Sequence, residues 1–597
     1  MRANDPDAVE RPEPGAAGGR YGSDRVADVL RALDIPYVAL NPGASFRGLH
    51  DSLVNHLGNE RPRMLLCLHE EHAVALAHGW AKVTGRPLAV VLHANVGLMH
   101  GSMGIFNAWC DRTPMLVLGA TGPVDAARRR PWIDWIHTAR DQGALVRHYV
   151  KWDDQPASAE AAVESVLRAH LIASTAPFGP TYVNLDAGMQ EAEAAPAPPP
   201  AVARFRAPAS PPPDPATLAA AAAALAKAER PLILAGRVGR SEAAWHARIR
   251  LAERLGAAVL TDLKTPAAFP SAHRLHAAPA GMFPTPAGTA ALAAADAVLS
   301  LDWIDLAGTL TAAGAAPATV INASLDQLVH NGWSMDHFGL PAVDHALLCA
   351  PDDAVAGLLG ALGDGVREPW LAAAAPASAA GSAATAPASD GELPVAELAA
   401  VLRDALAGTP ACLIRAPLSW SGGMWDVDGP LSLLGYDGGG GIGSGPGMTV
   451  GAALALRGSG RLPLAVLGDG DFMMGCQAFW TAARYGIPML CLIANNRSFY
   501  NDEVHQARVA DMRGRNAANK WIGQQIGGPD IDLAAIARAQ GCAAFGPVAD
   551  RDALAAAIEQ ALAAVRDGLP AVIDVRVARG YGPAMQSALT REAKRDG

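Results

Sequence analysis

At 597 residues the chain is far longer than one hydrophobic core supports, and its length suggests three or four domains. Half of it is hydrophobic and only 5% aromatic, with Ala and Gly dominant, the profile of helices packed closely on sheets in an α/β protein. A formal net charge of −10 offers no global attraction to nucleic acid or to an anionic membrane, and no apolar run reaches spanning length, so neither partner is expected. The seven cysteines are scattered, mostly in apolar runs, without a CxxC or Cys/His cluster. Buried thiols in a reducing compartment are expected, not zinc or disulfides. The start (MRANDPDAVERPEPGAAGG) lacks the apolar core of a signal peptide, so a cytoplasmic protein is expected.

Taken in order, residues 1–21 read as a disordered lead-in. A first unit, 22–190, alternates helical and strand patterns: VADVLRALDI, YVALNPG, ASFRGLHDSLVNHL, MLLCLH, EEHAVALAHGWAKVTG, LAVVLHAN, HGSMGIFNAWCDR, PMLVLGA, and finally TYVNLDAG. Such alternation predicts a doubly wound parallel sheet. The Pro/Ala stretch 191–215 is a linker, because prolines that dense continue neither sheet nor helix. A second α/β unit, 216–365, carries PLILAGRVG, AAVLTDL, AVLSLDWID and ATVINAS. After an Ala/Ser/Pro linker, 366–392, a third unit spans 393–585 and leaves a tail, 586–597. The expected fold is three doubly wound α/β domains with parallel sheets.

The chemistry concentrates in the third unit. An apolar strand ends at Gly468-Asp469-Gly470, an amphipathic segment follows, and a second apolar strand ends at Asn495-Asn496. Both polar turns then lie at the carboxyl ends of parallel strands, where open α/β sheets bind ligands. Carboxylate and amide oxygens, with phosphate oxygens, form the hard-oxygen set that Mg²⁺ prefers, and glycine lets the backbone approach a diphosphate. Gly-Asp-Gly alone also makes ordinary turns. With 24 residues between Gly470 and Asn495, the pair resembles the signature of the thiamine diphosphate enzyme superfamily.

That resemblance carries residue roles. Asp469 and Asn496 match the side-chain Mg²⁺ ligands, and Ser498 the backbone-carbonyl ligand; Gly468 and Gly470 flank the diphosphate. Asp471 replaces the commoner small residue and is grouped with the cofactor-binding residues, its role open. In GGGGIGSGPGM (438–448), Ile442 matches the bulky residue that bends the cofactor, and Gly440 offers its carbonyl to the aminopyrimidine. In the first unit, HEEHAVALAHGWAKVTG places Glu70 as the activating glutamate, whose carboxyl pairs with the aminopyrimidine; Glu71 beside it would also suit a helix N-terminus.

The runs NPGAS, HEEHAV, LHANVGLMHG and NAW resemble benzoylformate decarboxylase more than pyruvate decarboxylase. In that comparison His93 is the proton-moving histidine, and His100, read as opening the next helix, is a second catalytic candidate. Ala44 takes the place of the substrate-binding serine, with Ser45 next to it. After the metal turn, the polar run 501–515 brings Asn501, Asp502 and His505 toward the substrate, Asp502 standing where pyruvate decarboxylases carry a glutamate. Arg508, Arg513 and Arg515 are candidates for an anion, or for a solvated helix face. GRVGR (236–240) and LDWID (301–305) are too short to argue for FAD, which related synthases and oxidases carry in the central domain. The resemblance implies non-oxidative decarboxylation of a 2-oxo acid with carboligase potential. Alternatives are a lyase for hydroxyacyl thioesters or hydroxyketones, an acetolactate synthase-like transferase and, remotely, an inert regulatory subunit. It also implies a homodimer at minimum, with homotetramers common.

Overall fold

The computed structural model describes residues 9–13, 20–195, 197–198, 200–328, 339–371, 392–436 and 438–581. The tail 586–597, residues 372–391 of the 366–392 linker and most of the lead-in lie outside the described residues. Within the lead-in, Glu10 is tied down: it pairs with Arg484 at 2.5 Å and accepts the Tyr485 hydroxyl at 2.8 Å. Disorder is therefore the wrong description of that residue.

Three parallel sheets follow in chain order. The first holds β1 (Tyr37–Leu40), β2 (Arg63–Leu66), β3 (Ala89–Leu92), β4 (Met115–Thr121), β5 (Asp153–Asp154) and β6 (Pro180–Asp186), ordered β2-β1-β3-β4-β6-β5. The central sheet holds β7 (Pro231–Ala235), β8 (Ala258–Leu260), β9 (Ala297–Leu301), β10 (Thr319–Ala323) and β11 (His345–Leu347), ordered β11-β10-β9-β7-β8. The third holds β12 (Ala411–Arg415), β13 (Leu462–Gly468), β14 (Met489–Asn495), β15 (Ala543–Val548) and β16 (Pro570–Arg576), ordered β12-β13-β14-β16-β15. β3, β4, β6 and β14 are buried along their whole length, as strands covered by helices on both faces must be. Their unbroken apolar runs are what made them readable. Two edge strands were missed: β5 has two residues, and β15 contains Gly546-Pro547, which only an edge tolerates.

The first and third domains share one core. Helix Glu70–Thr84 and helix Ser444–Ala455 are pressed together between the two sheets, and Val74, Leu76, Val450, Ala453, Leu467 and Phe479 belong to one buried cluster. Glycines make the crossing possible. A Cβ on Gly451 would stand 1.8 Å from the Leu76 carbonyl oxygen, and one on Gly79 2.0 Å from that of Met448. Both helices thus meet backbone to backbone, which brings the start of each toward the other domain.

The central domain is fastened by ions. Arg112 of the first domain bonds Asp326 (Nε to Oδ1, 2.5 Å), and Arg237 bridges Asp326 and Asp302, each at 2.9 Å. Burial pushes Asp326 up, but the Arg237 and Arg112 guanidinium groups outweigh it and hold the carboxyl down at about 2. Trp303 is buried and donates its indole N–H to Thr309 at 2.9 Å. Asp302 and Trp303 therefore serve the central domain rather than approaching the candidate site.

Candidate active site

β13 and β14 are adjacent and in register, Gly468 beside Ala494, so the residues that follow them are neighbours. No separate glycine turn precedes the helix: it begins at Asp469, runs to Gly475 and restarts at Ala478. Gly470 is required there because the Phe499 ring occupies the space a Cβ would need, 2.6 Å away. Asp469 is buried, and its Oδ1 accepts the Gly470 N–H at 3.0 Å. Its Oδ2 is buried and has no hydrogen-bond partner among the described residues. Burial pushes the carboxyl up to about 6, against the pull of the Gly470, Arg497 and Ser498 amides. Those amides place the 496–498 turn directly beside Asp469.

Asn496 Oδ1 accepts the Ser498 N–H at 2.9 Å and keeps a second lone pair. Between them Arg497 adopts a left-handed φ of 57°, an unusual conformation for an arginine, anchored by an ion pair with Glu392. Asn495 faces the other way and donates to Asp574 at 2.8 Å. A buried carboxylate oxygen without a hydrogen-bond partner, beside a turn that offers an amide oxygen and a backbone carbonyl, is an all-oxygen donor set. It fits Mg²⁺. Gly468 and Gly440 leave open space where a Cβ would point, as approach of a diphosphate requires.

Asp471 needs a correction. Its Oδ1 accepts the N–H groups of Gly443 (2.7 Å) and Gly445 (3.2 Å), and its Oδ2 lies 3.4 Å from Arg415. The second acid is held by backbone amides and a buried cation, and its carboxylate is committed to the glycine loop rather than turned to a cofactor. Gly440 and Gly443 have φ of 67° and 101°, so the loop turns sharply on either side of half-buried Ile442. The loop leans on the first domain: a Cβ on Gly441 would meet the Met103 side chain at 2.4 Å.

In the first domain, Glu70 opens its helix and is buried. Its Oε2 lies 3.1 Å from Nδ1 of His100. His100 does not open a helix; that helix starts at Ala94, which puts His100 in its second turn. His69 caps the Glu70 helix by accepting the Glu71 N–H at 3.1 Å. Its ring stacks on His100, centroids 5.1 Å apart and 14° between planes. His93 follows β3, with Nδ1 at 2.8 Å from the Ser45 hydroxyl, which also accepts the Ala94 N–H at 3.1 Å. Ser45 therefore donates to Nδ1 and leaves Nε2 as the N–H of His93. Burial, and then neighbouring His137 at 4.7 Å, lower the pKa of His93 and favour the neutral ring. Gly43 is needed for this packing, since a Cβ there would strike the His93 side chain at 2.2 Å.

Ala44 is exposed beside this cluster, while Ser45 is buried as the partner of His93. On helix Tyr500–Met512, Asp502 and His505 are exposed and Asn501 is half-buried. The buried acid is the next residue, Glu503, which accepts the Ser498 hydroxyl at 2.5 Å and pairs with Arg579 at 3.4 Å. Arg513 and Arg515 are exposed at the helix's far end. Sequence reading missed His69, His137, Arg415 and Glu503. Only Glu503 left a signal, through the apolar face it shares with Val504 and Ala510.

A buried glutamate at one strand end and a cation-hungry oxygen set at another define a cofactor-dependent α/β enzyme. Residues 20–157, 218–328 and 418–575 match, in order, the N-terminal TPP binding, central and C-terminal TPP binding domains of thiamine pyrophosphate enzymes. The chain belongs to the thiamine pyrophosphate enzyme family. Benzoylformate decarboxylase of Pseudomonas aeruginosa is 27% identical over 540 residues, 86% of this chain and 91% of that protein. The acetolactate synthase large subunit of Parasynechococcus marenigrum is 25% identical over 94% of this chain and 88% of its own. Benzoylformate decarboxylase from Polynucleobacter necessarius superposes with a TM-score of 0.77 at 20% identity, covering 94% of this chain and 100% of that one. The Rhodococcus jostii 4-hydroxybenzoylformate decarboxylase superposes with a TM-score of 0.73 at 22% identity, with the same coverage.

Proposed function

We propose that this protein is a Mg²⁺- and thiamine diphosphate-dependent carboxy-lyase that decarboxylates a 2-oxo acid without oxidation and retains carboligase capacity. The observation that carries the reading is the orphaned Asp469 Oδ2 beside the 496–498 turn, in a chain that also carries a buried Glu70 at the start of a helix. When bound, thiamine diphosphate supplies a nucleophilic C2 and an electron-accepting thiazolium for cleaving the bond next to a carbonyl. Asp469, Asn496 and the Ser498 carbonyl hold Mg²⁺. The open backbone at Gly468 leaves room for the diphosphate, and Ile442 and Gly440 seat the aminopyrimidine. Glu70 holds the proton exchanged with the aminopyrimidine ring nitrogen. His93 presents Nε2–H to the substrate, with Ser45 fixing its tautomer.

Similarity to an aryl 2-oxo acid decarboxylase favours a substrate of that kind, and a 2-ketoarginine decarboxylase of Pseudomonas aeruginosa, 28% identical over 36% of this chain, favours including basic 2-oxo acids. Acetolactate synthase relatives make ligation to a second carbonyl the next reading. The central domain is assigned no FAD, because Arg237 of the GRVGR turn is already neutralised by Asp302 and Asp326. Leu68, Met99 and Met474 are exposed apolar residues, the first two close in sequence to Glu70 and His100, which supports burial by a second copy in a homodimer or homotetramer. No helix among the described residues is long and apolar enough to cross a membrane. The test is a mass-spectrometric screen of aryl, aliphatic and basic 2-oxo acids with and without Mg·thiamine diphosphate. Aldehyde formed only with the cofactor supports the reading; none from any acid, with the cofactor bound, refutes it.

A further inference from the structure

Around Glu70 the chain gathers more imidazole than the proposed reaction uses. His93 has a role and a partner. His100 has neither in that account, yet it is the side chain that touches Glu70, through Nδ1 and Oε2 at 3.1 Å. The two ends of this contact differ sharply in solvent access: the Glu70 side chain is 10% exposed and that of His100 61%. One atom pair thus joins a buried carboxyl to a ring left open within one chain, next to Met99, which is assigned above to the contact with a second copy. The ring is not free to turn away. His69 stacks on it at 5.1 Å, and His69 is itself fixed by accepting the Glu71 N–H.

Three ligand atoms of His69, Glu70 and His100 also lie within 4.8 Å of one another, as in a metal site. A metal lies near the plane of each imidazole that binds it, and the two rings here lie in nearly parallel planes, 14° apart with centroids 5.1 Å apart. Stacked in that way, they do not converge on one ion. The geometry suits proton exchange. With Glu70 ionised, His100 Nδ1–H donates to Oε2; with Glu70 protonated, its O–H donates to Nδ1. The same two atoms keep the hydrogen bond in both states.

The other oxygen has a different environment. A Cβ on Gly97 would lie 3.3 Å from Glu70 Oε1, so the glycine leaves that side of the carboxyl uncrowded. The remaining titratable groups near the pair are His69, Glu71 and His72 on the Glu70 helix, and His93 with His137 beyond Gly97, His93 also feeling Arg130. Burial lowers the pKa of His69, His72 and His93, which favours the neutral ring in all three. His69 and His93 feel the Glu70 charge, but the hydrogen bond to its carboxyl comes from His100.

We propose that His100 is the positioning and proton-exchange residue of Glu70: it holds Oε2, leaves Oε1 to the aminopyrimidine nitrogen, and exchanges the carboxyl proton with water in the cleft. The step balances. As Glu70 O–H gives its proton to His100 Nδ1, the proton on Nε2 leaves to water, and the return runs the same bonds in reverse. This rests on the reading of Glu70 as the activating carboxyl.

The test measures hydrogen–deuterium exchange at C2 of bound thiamine diphosphate by quenched-flow NMR, in wild type, His100→Asn, His100→Ala and Glu70→Gln. Asn preserves a hydrogen-bond donor near Oε2 but cannot relay a proton. Both His100 variants are expected to bind Mg·thiamine diphosphate within about 3-fold of wild type and to exchange about 10- to 100-fold more slowly, with imidazole buffer restoring His100→Ala in part. Glu70→Gln should be slow whatever the buffer. A second readout needs no cofactor: imidazole ¹⁵N shifts should report the Nδ1–H tautomer of His100 in wild type and its loss in Glu70→Gln. Wild-type exchange in His100→Ala, or slow exchange indifferent to imidazole, overturns the proposal. If Glu70→Gln itself exchanges at the wild-type rate, the reading of Glu70 falls instead.

Discussion

The two halves of the candidate site are built in opposite ways. In the third domain the working parts are backbone and short side chains at the ends of β13 and β14, locked by amides, with one buried oxygen left without a partner. In the first domain they are a carboxyl and a set of imidazoles joined by hydrogen bonds and ring contacts. The first arrangement suits holding a charge that does not change. The second suits moving one. The contrast separates binding from chemistry along the chain, and mutations should respect it.

Asp469→Ala should therefore destroy binding, weakening Mg·thiamine diphosphate by more than about 100-fold and abolishing its thermal shift. A retained shift would break the comparison at its binding half. His93→Ala should do the reverse, lowering kcat about 100-fold while cofactor affinity stays near wild type, in steady-state kinetics paired with calorimetry. Loss of affinity there would mean that the imidazole half binds as well as reacts.

The helix crossing between the first and third domains leaves no room for an added side chain. Gly451→Ala forces a methyl into the Leu76 carbonyl and should destabilise the protein by roughly 2–3 kcal/mol in denaturant unfolding. The binding half also predicts a pH signature in the cofactor-free protein. Asp469 has its pKa raised from 3.8 to about 6 by burial, so the folded state prefers it protonated, and its contribution to stability falls as pH rises between those values. Above that window the buried charge costs about 1–3 kcal/mol, which Asp469→Asn should recover when the melting of cofactor-free protein is followed at pH 8. Equal melting of the two proteins at pH 8 would contradict this. The smallest effect is expected at exposed Asp502, where Asn should change kcat/KM by less than about 3-fold. Glu503→Gln, which touches the metal-turn Ser498, should weaken cofactor binding measurably.

How much of this was legible follows the same division. The strands, the strand-end position of Asp469 and the spacing to Asn496 could be read because buried parallel strands are unbroken apolar runs and polar turns interrupt them. Glu70 was singled out by the resemblance of its run to the family motif, since Glu71 beside it suits a helix N-terminus equally well. The role of Asp471 was not legible, because nothing local reveals that its partners are Gly443, Gly445 and Arg415, 28, 26 and 56 positions away. His137 stands in an irregular segment without periodicity and meets His93 only through the fold. The one-residue step from Asp502 to Glu503 was a matter of helix phase, set by Val504 and Ala510 packing inward.

The most direct measurement of the central claim is CO₂ release from a panel of 2-oxo acids, benzoylformate included, by wild type and Glu70→Gln, both saturated with Mg·thiamine diphosphate. Cofactor-dependent release by wild type, reduced about 100-fold or more in Glu70→Gln at unchanged cofactor affinity, is the predicted result. Equal release by the two proteins, or none by wild type with the cofactor bound, would contradict it.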